Sequence, residues 1–140
     1  MIMVLVTGVF DLLHAEHIAF LTSAKALGER LVVGIESDLR VRKLKGEGRP
    51  VQTEAVRKQA IEKLGFVDEV IVLPTQFETD AEHLHLLQLV KPAILAVSSH
   101  TPHLAVKRRL MKQVGGKVVI VRQQNVDVST TKILQKRQCS

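Results

Sequence analysis

The sequence predicts a single α/β domain with a five-stranded parallel sheet and helices on both faces. Strand and helix patterns alternate along the chain, and every strand pattern is a continuous apolar run. Continuous apolar strands are typical of sheets whose two faces are both covered. The crossovers in such a doubly wound, Rossmann-like sheet are right-handed, and ligands bind beyond the carboxyl ends of the strands. A length of 140 residues suits one domain, which we expect to span residues 1–140.

Short apolar runs rich in β-branched residues define the strands. They span residues 2–6, 31–35, 70–73, 93–97 and 118–121. Runs of four or five such residues have the length of a buried strand. Turn residues mark their limits, since Pro74 follows the third run and Gly115-Gly116 precedes the fifth.

The first two helices are predicted from spacing and from residues that end helices. Ile18 and Leu21 have helical spacing, and Gly28 is expected at the C′ position of that helix. A short helix is expected over residues 39–44. The segment 45–50 follows it as a loop, because it contains two Gly and one Pro.

The next helices are predicted mainly from their capping residues. Thr53 is expected to cap a helix over residues 54–64. Thr79 and Glu82 have the spacing of a capping box, which opens a helix that ends before Pro92. The last two predicted helices span residues 103–114 and 129–136.

Composition favours a globular cytoplasmic protein that has no membrane partner. Apolar residues make up 46% and charged residues 24% of the chain, and no apolar run approaches 18 residues. The first apolar run lacks a preceding basic region, so we interpret it as a strand and not as a signal peptide. The single cysteine, Cys139, cannot form an internal disulfide, which also suits a reducing compartment.

The charge balance favours phosphorylated ligands. Lys plus Arg number 20 and Asp plus Glu number 14, which gives a net charge of +6. A basic balance suits either small phosphorylated ligands or nucleic acid. The only aromatic residues are four Phe, and this is a poor supply of stacking platforms for single-stranded nucleic acid. We therefore expect small phosphorylated partners and no nucleic acid.

The turn between the first strand and the first helix carries the strongest functional pattern. Gly8 allows backbone to approach a ligand, and His14 and His17 are three residues apart on the first helical turn. The free N–H groups and the dipole of a helix start attract anions. The pattern predicts a polyphosphate pocket. The alternative is that one or both histidines are ordinary surface residues at a helix start.

Residues 8–17 resemble the G-x-F-D-x-x-H-x-G-H signature of the cytidylyltransferase-like nucleotidyltransferases. Residues 24–34 and 67–70 are similar to further segments of that family, and residues 128–133 resemble its I-S-T-T-x-I signature. Residues 37–51 look most like its sugar-phosphate branch. The resemblance implies the strand order 3-2-1-4-5 and a homodimer. It also implies a reaction in which a nucleoside triphosphate is joined to a small phosphorylated acceptor and pyrophosphate is released.

The resemblance also implies roles for particular residues. His14 and His17 would donate hydrogen bonds to the triphosphate, and Lys45 would neutralise the reacting phosphates from a mobile loop. The implied nucleotide-binding residues are Thr7, Gly8, Val9, Phe10, Arg57, Ser129, Thr130 and Thr131. Weaker candidates for acceptor contacts are Asp11, Asp38 and His100. Magnesium (Mg2+) is expected to arrive on the triphosphate with few protein ligands, so no protein metal site is expected.

Several alternatives remain open from the residues alone. Lys45 could be an ordinary solvated lysine, Arg57 a surface helix arginine, and Phe10 a core residue. Adenylyl transfer from ATP to a sugar phosphate is the narrower expectation. The alternatives are cytidylyl transfer from CTP to glycerol 3-phosphate, an FAD synthetase-like activity, and a nucleotide-binding homologue with reduced turnover.

Two positions depart from the family pattern. Glu16 stands where the signature has its second glycine. Helical geometry places residue 16 about 200° from residue 14, so we expect this carboxylate to point off the two-histidine face, toward the base or the solvent. Residues 98–100, after the fourth strand, are Ser-Ser-His, where the family often has an acidic residue.

Overall fold

Five parallel strands form one sheet in the computed structural model, which describes residues 1–121. The strands are β1 (Met3–Gly8), β2 (Arg30–Ile35), β3 (Glu69–Val72), β4 (Ile94–Ser98) and β5 (Lys117–Val121). Their order is β3-β2-β1-β4-β5, and all four neighbouring pairs are parallel. The expected fold class and strand order are confirmed. The helix expected at 129–136 lies outside the described residues.

Two helices of the described residues begin where their capping residues predict. The helices that the structure describes are α1 (Ala15–Lys25), α2 (Asp38–Lys45), α3 (Glu54–Glu62), α4 (Asp80–Val90) and α5 (Leu104–Gln113). Thr53 caps α3 by accepting from the backbone N–H of Val56 at 3.3 Å. Thr79 and Glu82 form the expected capping box of α4. No helix within residues 1–121 combines the length and the apolar character that crossing a membrane requires.

The core has two parts because successive side chains of the central strands point to opposite faces of the sheet. Val4 and Val6 of β1 pack on one face with Phe20 and Leu21 of α1 and Ile61 of α3. The opposite face carries Leu5, Val32, Leu86 and Leu110, from β1, β2, α4 and α5. Helices thus cover both faces of the sheet. The loops at the carboxyl ends of the strands are left to form a site.

Gly28 does not serve as the C′ residue that the sequence predicted. The C-cap of α1 is Ala26, and Gly28 does not adopt the left-handed conformation. A Cβ atom at Gly28 would instead lie 2.6 Å from the carbonyl oxygen of Ile2. Glycine is therefore needed here because the chain after α1 passes against the segment that leads into β1.

We expect Gly28→Ala to lower the free energy of unfolding by about 1–3 kcal/mol, because the backbone must shift to admit the methyl group. Ser23→Ala, on the exposed surface of α1, is the control and should change stability by less than about 0.5 kcal/mol. Urea unfolding of both variants measures the difference. Equal stability of the two variants would show that the close approach at residue 28 imposes no constraint.

Candidate active site

A cavity of about 710 Å³ opens beyond the carboxyl ends of the central strands. Its wall includes Gly8 at the end of β1, Glu36 after β2 and Ser98 at the end of β4. The first turn of α1 and the start of α5 complete it. This is the position at which doubly wound sheets bind their ligands, since the chain direction of the crossovers reverses between β1 and β4.

His14 and His17 cap α1 by exchanging hydrogen bonds with each other's backbone. His14 is the N-cap, and its Nδ1 accepts from the N–H groups of Glu16 at 3.1 Å and His17 at 3.4 Å. His17, three residues later, accepts the N–H of His14 on its own Nδ1 at 3.3 Å. The two rings stack with centroids 3.7 Å apart and planes inclined by 18°. The arrangement is a capping box in which both partners are imidazoles.

This cap fixes which nitrogen of each ring carries the proton. A neutral imidazole has one donor and one acceptor nitrogen, and Nδ1 of each ring is the acceptor here. The proton therefore lies on Nε2 of both His14 and His17. Nε2 of His14 is buried and has no hydrogen-bond partner within residues 1–121. A buried donor without an acceptor is costly, so this atom is suited to an anionic ligand oxygen.

Burial keeps both rings neutral. It lowers the pKa of His17 to about 4, with a further decrease from the charge of His14 and a partial increase from Asp11. Burial also lowers the pKa of His14, and Glu16 opposes that change. Near neutral pH the pair thus presents two uncharged N–H donors beside the dipole of α1.

The two histidines are not equally placed. His17 lines the cavity, whereas His14 lies against the ring of His17 and is not part of the wall. His14 has extended backbone (φ −132°, ψ 179°) and precedes the helix. The expectation that both residues lie on one helical face is wrong for that reason, although the stacked rings are brought together by the cap.

Phe10 belongs both to the core and to the cavity wall. Its side chain is 6% exposed, lies in the core cluster of β1 and α1, and lines the cavity. Its ring meets His17 edge to face, with centroids 5.4 Å apart. A Cβ atom at Gly8 would lie 2.9 Å from the ring of Phe10. Gly8 is therefore needed to seat this ring, a reason that the sequence pattern did not indicate. Thr7 and Val9 also line the cavity.

Arg57 is buried and is not part of the cavity wall. Its Nη1 donates to the carbonyl oxygens of Val9 at 2.9 Å and Glu36 at 2.8 Å. Its Nε donates to the carbonyl of Gln52 at 3.0 Å, and its Nη2 to the carboxylate of Asp38 at 2.7 Å. The surface-arginine alternative is wrong because the side chain is fully enclosed. A phosphate role is not supported by this arrangement, in which the guanidinium instead joins the turns after β1 and β2 to α3.

The two aspartates that were candidates for acceptor contacts are engaged by the protein itself. Asp11 is 1% exposed and accepts from the backbone N–H groups of Val51 at 2.7 Å and Gln52 at 3.0 Å. It thereby holds the segment after α2 against the first turn, although it also lines the cavity. Asp38 is the partner of Arg57 and does not line the cavity.

Lys45 and His100 both line the cavity and are exposed. Lys45 is the last residue of α2, so its predicted position in a loop is wrong. His100 lies between β4 and α5. The two side chains approach the cavity from opposite sides of β1, which suits contacts with different parts of a ligand.

The expectation for Glu16 rested on a helical position for His14, and that premise is wrong because His14 precedes the helix. Glu16 is half-buried and lines the cavity. Glu16 is therefore part of the cavity wall, and its orientation toward the base stays a prediction.

Several charged residues of the cavity wall were missed by the sequence analysis. Among them are Glu36, Arg49 and Lys107. Lys107 donates to the hydroxyl of Thr101, and burial lowers its pKa. Glu36 could have been predicted, because it is a charged residue directly after a buried strand. Arg49 and Lys107 had no comparable signal, because each lies among other basic residues.

Some expectations concern atoms that the structure does not describe. Ser129, Thr130 and Thr131 lie outside residues 1–121, so their nucleotide-binding role stays a prediction. Within the described part of the chain, no group of three or more His, Cys, Asp or Glu is placed to hold a metal ion. The expected magnesium ion, held mainly by phosphate oxygens, stays a prediction.

A protein-family model and several curated proteins are similar to this chain over most of its length. A family model described as cytidylyltransferase-like matches residues 5–136. The "Bifunctional protein HldE" of Pelobacter propionicus is 42% identical over 135 residues, and that of Geobacter metallireducens is 39% identical over 135 residues. Each match covers 95% of this chain and 26% of the relative. The chain thus spans about a quarter of the length of these relatives.

Solved structures with the same fold include one of similar size. The lipopolysaccharide core biosynthesis protein from Thermoplasma volcanium is 31% identical, with a TM-score of 0.69 over 91% of this chain and 99% of that one. A pantoate-beta-alanine ligase from Francisella tularensis is 16% identical, with a TM-score of 0.67 over 98% of this chain and 69% of that one. The second similarity shows the shared fold alone.

The lowered pKa of His17 predicts a pH-dependent loss of stability. The unfolded chain protonates this ring near pH 6.5, whereas the folded protein protonates it only near pH 4. The free energy of unfolding should therefore fall as the pH drops from about 6.5 to about 4, with a slope of up to about 1.4 kcal/mol per pH unit from this group.

The variant His17→Gln isolates this effect, because glutamine keeps the acceptor of the capping box and does not titrate. Urea unfolding at a series of pH values should show a shallower decline for the variant than for the wild type. Parallel curves for the two proteins would contradict the neutral, buried ring.

Proposed function

The chain belongs to the cytidylyltransferase-like family of nucleotidyltransferases, and on that premise we propose that it transfers an adenylyl group from ATP to a sugar phosphate with release of pyrophosphate. The observation that carries the proposal is the reciprocal cap of His14 and His17. It fixes two neutral Nε2–H donors at the start of α1, with His17 on the cavity wall and His14 stacked against it. Donors held at a helix N-terminus suit a polyphosphate.

The proposed step is a direct displacement. An oxygen of the acceptor phosphate forms a bond to the α-phosphorus of ATP, and the bond from that phosphorus to the oxygen bridging to the β-phosphate breaks. The electron pair leaves with pyrophosphate. The acceptor phosphate is already ionised at neutral pH, so no side chain has to remove a proton. What the protein supplies is positioning and stabilisation of the charge that grows on the transferred and leaving phosphates.

The cavity residues divide this work. His17 would donate to the triphosphate through its Nε2–H, and His14 would add its unpartnered Nε2–H, both beside the dipole of α1. Lys45, at the end of α2, would reach the reacting phosphates as a mobile cation. Phe10 and the backbone of residues 7–9 would line the nucleotide pocket. Ser129, Thr130 and Thr131 would contact the triphosphate from the far end of the chain.

Magnesium is part of the proposal. The described residues offer no three-ligand site, so the ion would be held chiefly by the triphosphate and would neutralise its charge. Homodimer formation and a cytoplasmic location stay predictions, as does the absence of a nucleic-acid partner. They rest on the resemblance and on composition.

A sugar phosphate is the proposed acceptor for two reasons. The HldE relatives and the lipopolysaccharide core biosynthesis protein are similar over most of this chain. Residues 37–51 also resemble the corresponding segment of glycero-manno-heptose 1-phosphate adenylyltransferases. The alternatives are cytidylyl transfer to glycerol 3-phosphate, an FAD synthetase-like reaction, and nucleotide binding with reduced turnover. Glu16 favours the last of these, because it adds negative charge to the cavity wall.

We expect the purified protein to release pyrophosphate only when a nucleoside triphosphate, magnesium and an acceptor phosphate are all present. The assay is a grid of the four common triphosphates against sugar 1-phosphates, glycerol 3-phosphate and FMN. ATP with a sugar 1-phosphate should give the highest rate. Binding of ATP without pyrophosphate release anywhere on the grid would favour the alternative of a nucleotide-binding homologue.

Substitutions that keep the cap of α1 test the histidine roles separately from folding. His14→Asn retains an N-cap acceptor and His17→Gln retains the acceptor at the third helical position, while both remove the rigid imidazole that positions the Nε2–H donor. Each should lower kcat/KM by about a hundredfold, the scale for losing one transition-state donor. His14→Ala should in addition lose about 1 kcal/mol of stability, since it also removes the cap.

The control is His85→Gln, an exposed position on α4 outside the cavity wall, which should leave the rate unchanged. If His14→Asn and His17→Gln both turn over as fast as this control, the two rings do not act on the phosphates.

A further inference from the structure

Glu36 is a cavity residue to which the proposed mechanism gives no role. It directly follows β2, and its backbone is held from two sides. Its N–H donates to the carbonyl of Gly8 at 2.9 Å, and its carbonyl accepts from Nη1 of Arg57 at 2.8 Å. The base of this side chain is therefore rigidly placed beside the turn that carries the histidine pair.

One carboxylate oxygen of Glu36, Oε2, is buried without a hydrogen-bond donor within residues 1–121. Burial raises the pKa of this group, and the positive charges of Arg40 and Arg57 oppose that change. A buried carboxylate oxygen without a donor costs free energy, and a ligand that brings a donor recovers it.

The position of Glu36 separates it from the expected nucleotide site. The crossovers reverse direction between β1 and β4, and the nucleotide is expected at that point. Glu36 follows β2, which lies on the opposite side of β1 from β4. Lys45, at the end of α2, and Arg49 also line the cavity. The β2 side is left for the acceptor.

Arg49 gives this part of the cavity a fixed positive charge. Its side chain is 17% exposed and lies 3.6 Å from Asp11, measured from Nε to Oδ2. The same Nε has no hydrogen-bond partner within the described part of the chain. A guanidinium held in this way suits the phosphate of an acceptor. Glu36 and Arg49 thus bring a carboxylate and a cation to the wall of the same cavity.

We propose that Glu36 selects acceptors that carry a hydroxyl group, by accepting a hydrogen bond from that hydroxyl while Arg49 and Lys45 bind the acceptor's phosphate. The inference rests on the proposed function, because it assigns the acceptor end of the same cavity. A site built to bond a hydroxyl rejects an analogue without it, since the buried polar group is then left unpaired. The carboxylate also disfavours acceptors with a second anionic group at this position.

The test compares acceptor binding with and without the carboxylate. Calorimetric titrations use the protein with magnesium and a non-hydrolysable ATP analogue, so that binding is measured without turnover. The probes are mannose 1-phosphate, its monodeoxy analogues and methyl phosphate. The variants are Glu36→Gln, which is nearly isosteric, and Glu36→Ala. The control is Glu62→Gln, an exposed carboxylate on α3 outside the cavity wall.

Glu36→Ala should bind mannose 1-phosphate at least tenfold more weakly than the wild type, the scale for losing a hydrogen bond to a charged group. Glu36→Gln should show a smaller loss, because its neutral amide oxygen is a weaker acceptor. Methyl phosphate and the ATP analogue should bind as before. One monodeoxy analogue lacks the hydroxyl that Glu36 would bind, and it should bind the wild type weakly. The affinity of both variants for this analogue should equal that of the wild type. In kinetic assays, the KM for the sugar phosphate should rise while the KM for ATP stays unchanged.

Other outcomes overturn the inference. Equal weakening of mannose 1-phosphate and methyl phosphate would indicate a structural role, and unchanged binding of both would remove the role altogether. Failure of the wild type to bind any sugar phosphate would also overturn it.

If the wild type binds the sugar and the variants do not, yet no pyrophosphate is released, the proposed reaction fails and the assignment of Glu36 stands. If pyrophosphate is released equally well by the Glu36 variants, the reaction stands and the assignment fails.

Discussion

The exchange of hydrogen bonds between His14 and His17 is the interaction on which the rest of the site depends. Each Nδ1 satisfies backbone N–H groups that the start of α1 would otherwise leave free. The same contacts fix the tautomers, so both Nε2 atoms carry protons. Burial then keeps the rings neutral. One local arrangement thus determines where the helix begins, which atoms donate, and that these donors carry no charge of their own.

Two buried charged residues, Arg57 and Asp11, hold the surrounding loops to this turn through hydrogen bonds. Arg57 joins the turns after β1 and β2 to α3 through four hydrogen bonds. Asp11 holds the segment after α2 through two backbone N–H groups. Removing one partner of such a buried contact leaves a charge or a polar group unsatisfied, which is costly. These residues shape the cavity without themselves supplying its free donors, and the family signature alone does not distinguish the two roles.

Much of the fold could be predicted because its determinants are local. The apolar runs gave the strands within one or two residues, and Thr53 and Thr79 marked helix starts by their capping chemistry. The strand order required the family resemblance, since no local pattern encodes which strands are neighbours. Gly28 was assigned the wrong constraint, because the atom it approaches, the carbonyl oxygen of Ile2, is distant in sequence.

The site was most predictable where its residues are consecutive. The turn at residues 7–17 was recognised, and most of it does line the cavity. Arg57 has the spacing of a helix residue, and nothing in its neighbours shows that its partners lie in three other segments. Helical geometry failed for Glu16 because the N-cap residue, His14, is extended. Glu36 carried a usable signal, a charge directly after a buried strand, but its missing hydrogen-bond donor is visible only in three dimensions.

Nitrogen-15 NMR of the imidazole rings tests the central claim most directly. At pH 7, both His14 and His17 should be neutral, with Nε2 protonated and Nδ1 unprotonated, and saturating magnesium–ATP should shift both Nε2 resonances. A ring that is protonated on Nδ1, a positively charged ring at this pH, or Nε2 resonances that do not respond to ATP would contradict the account.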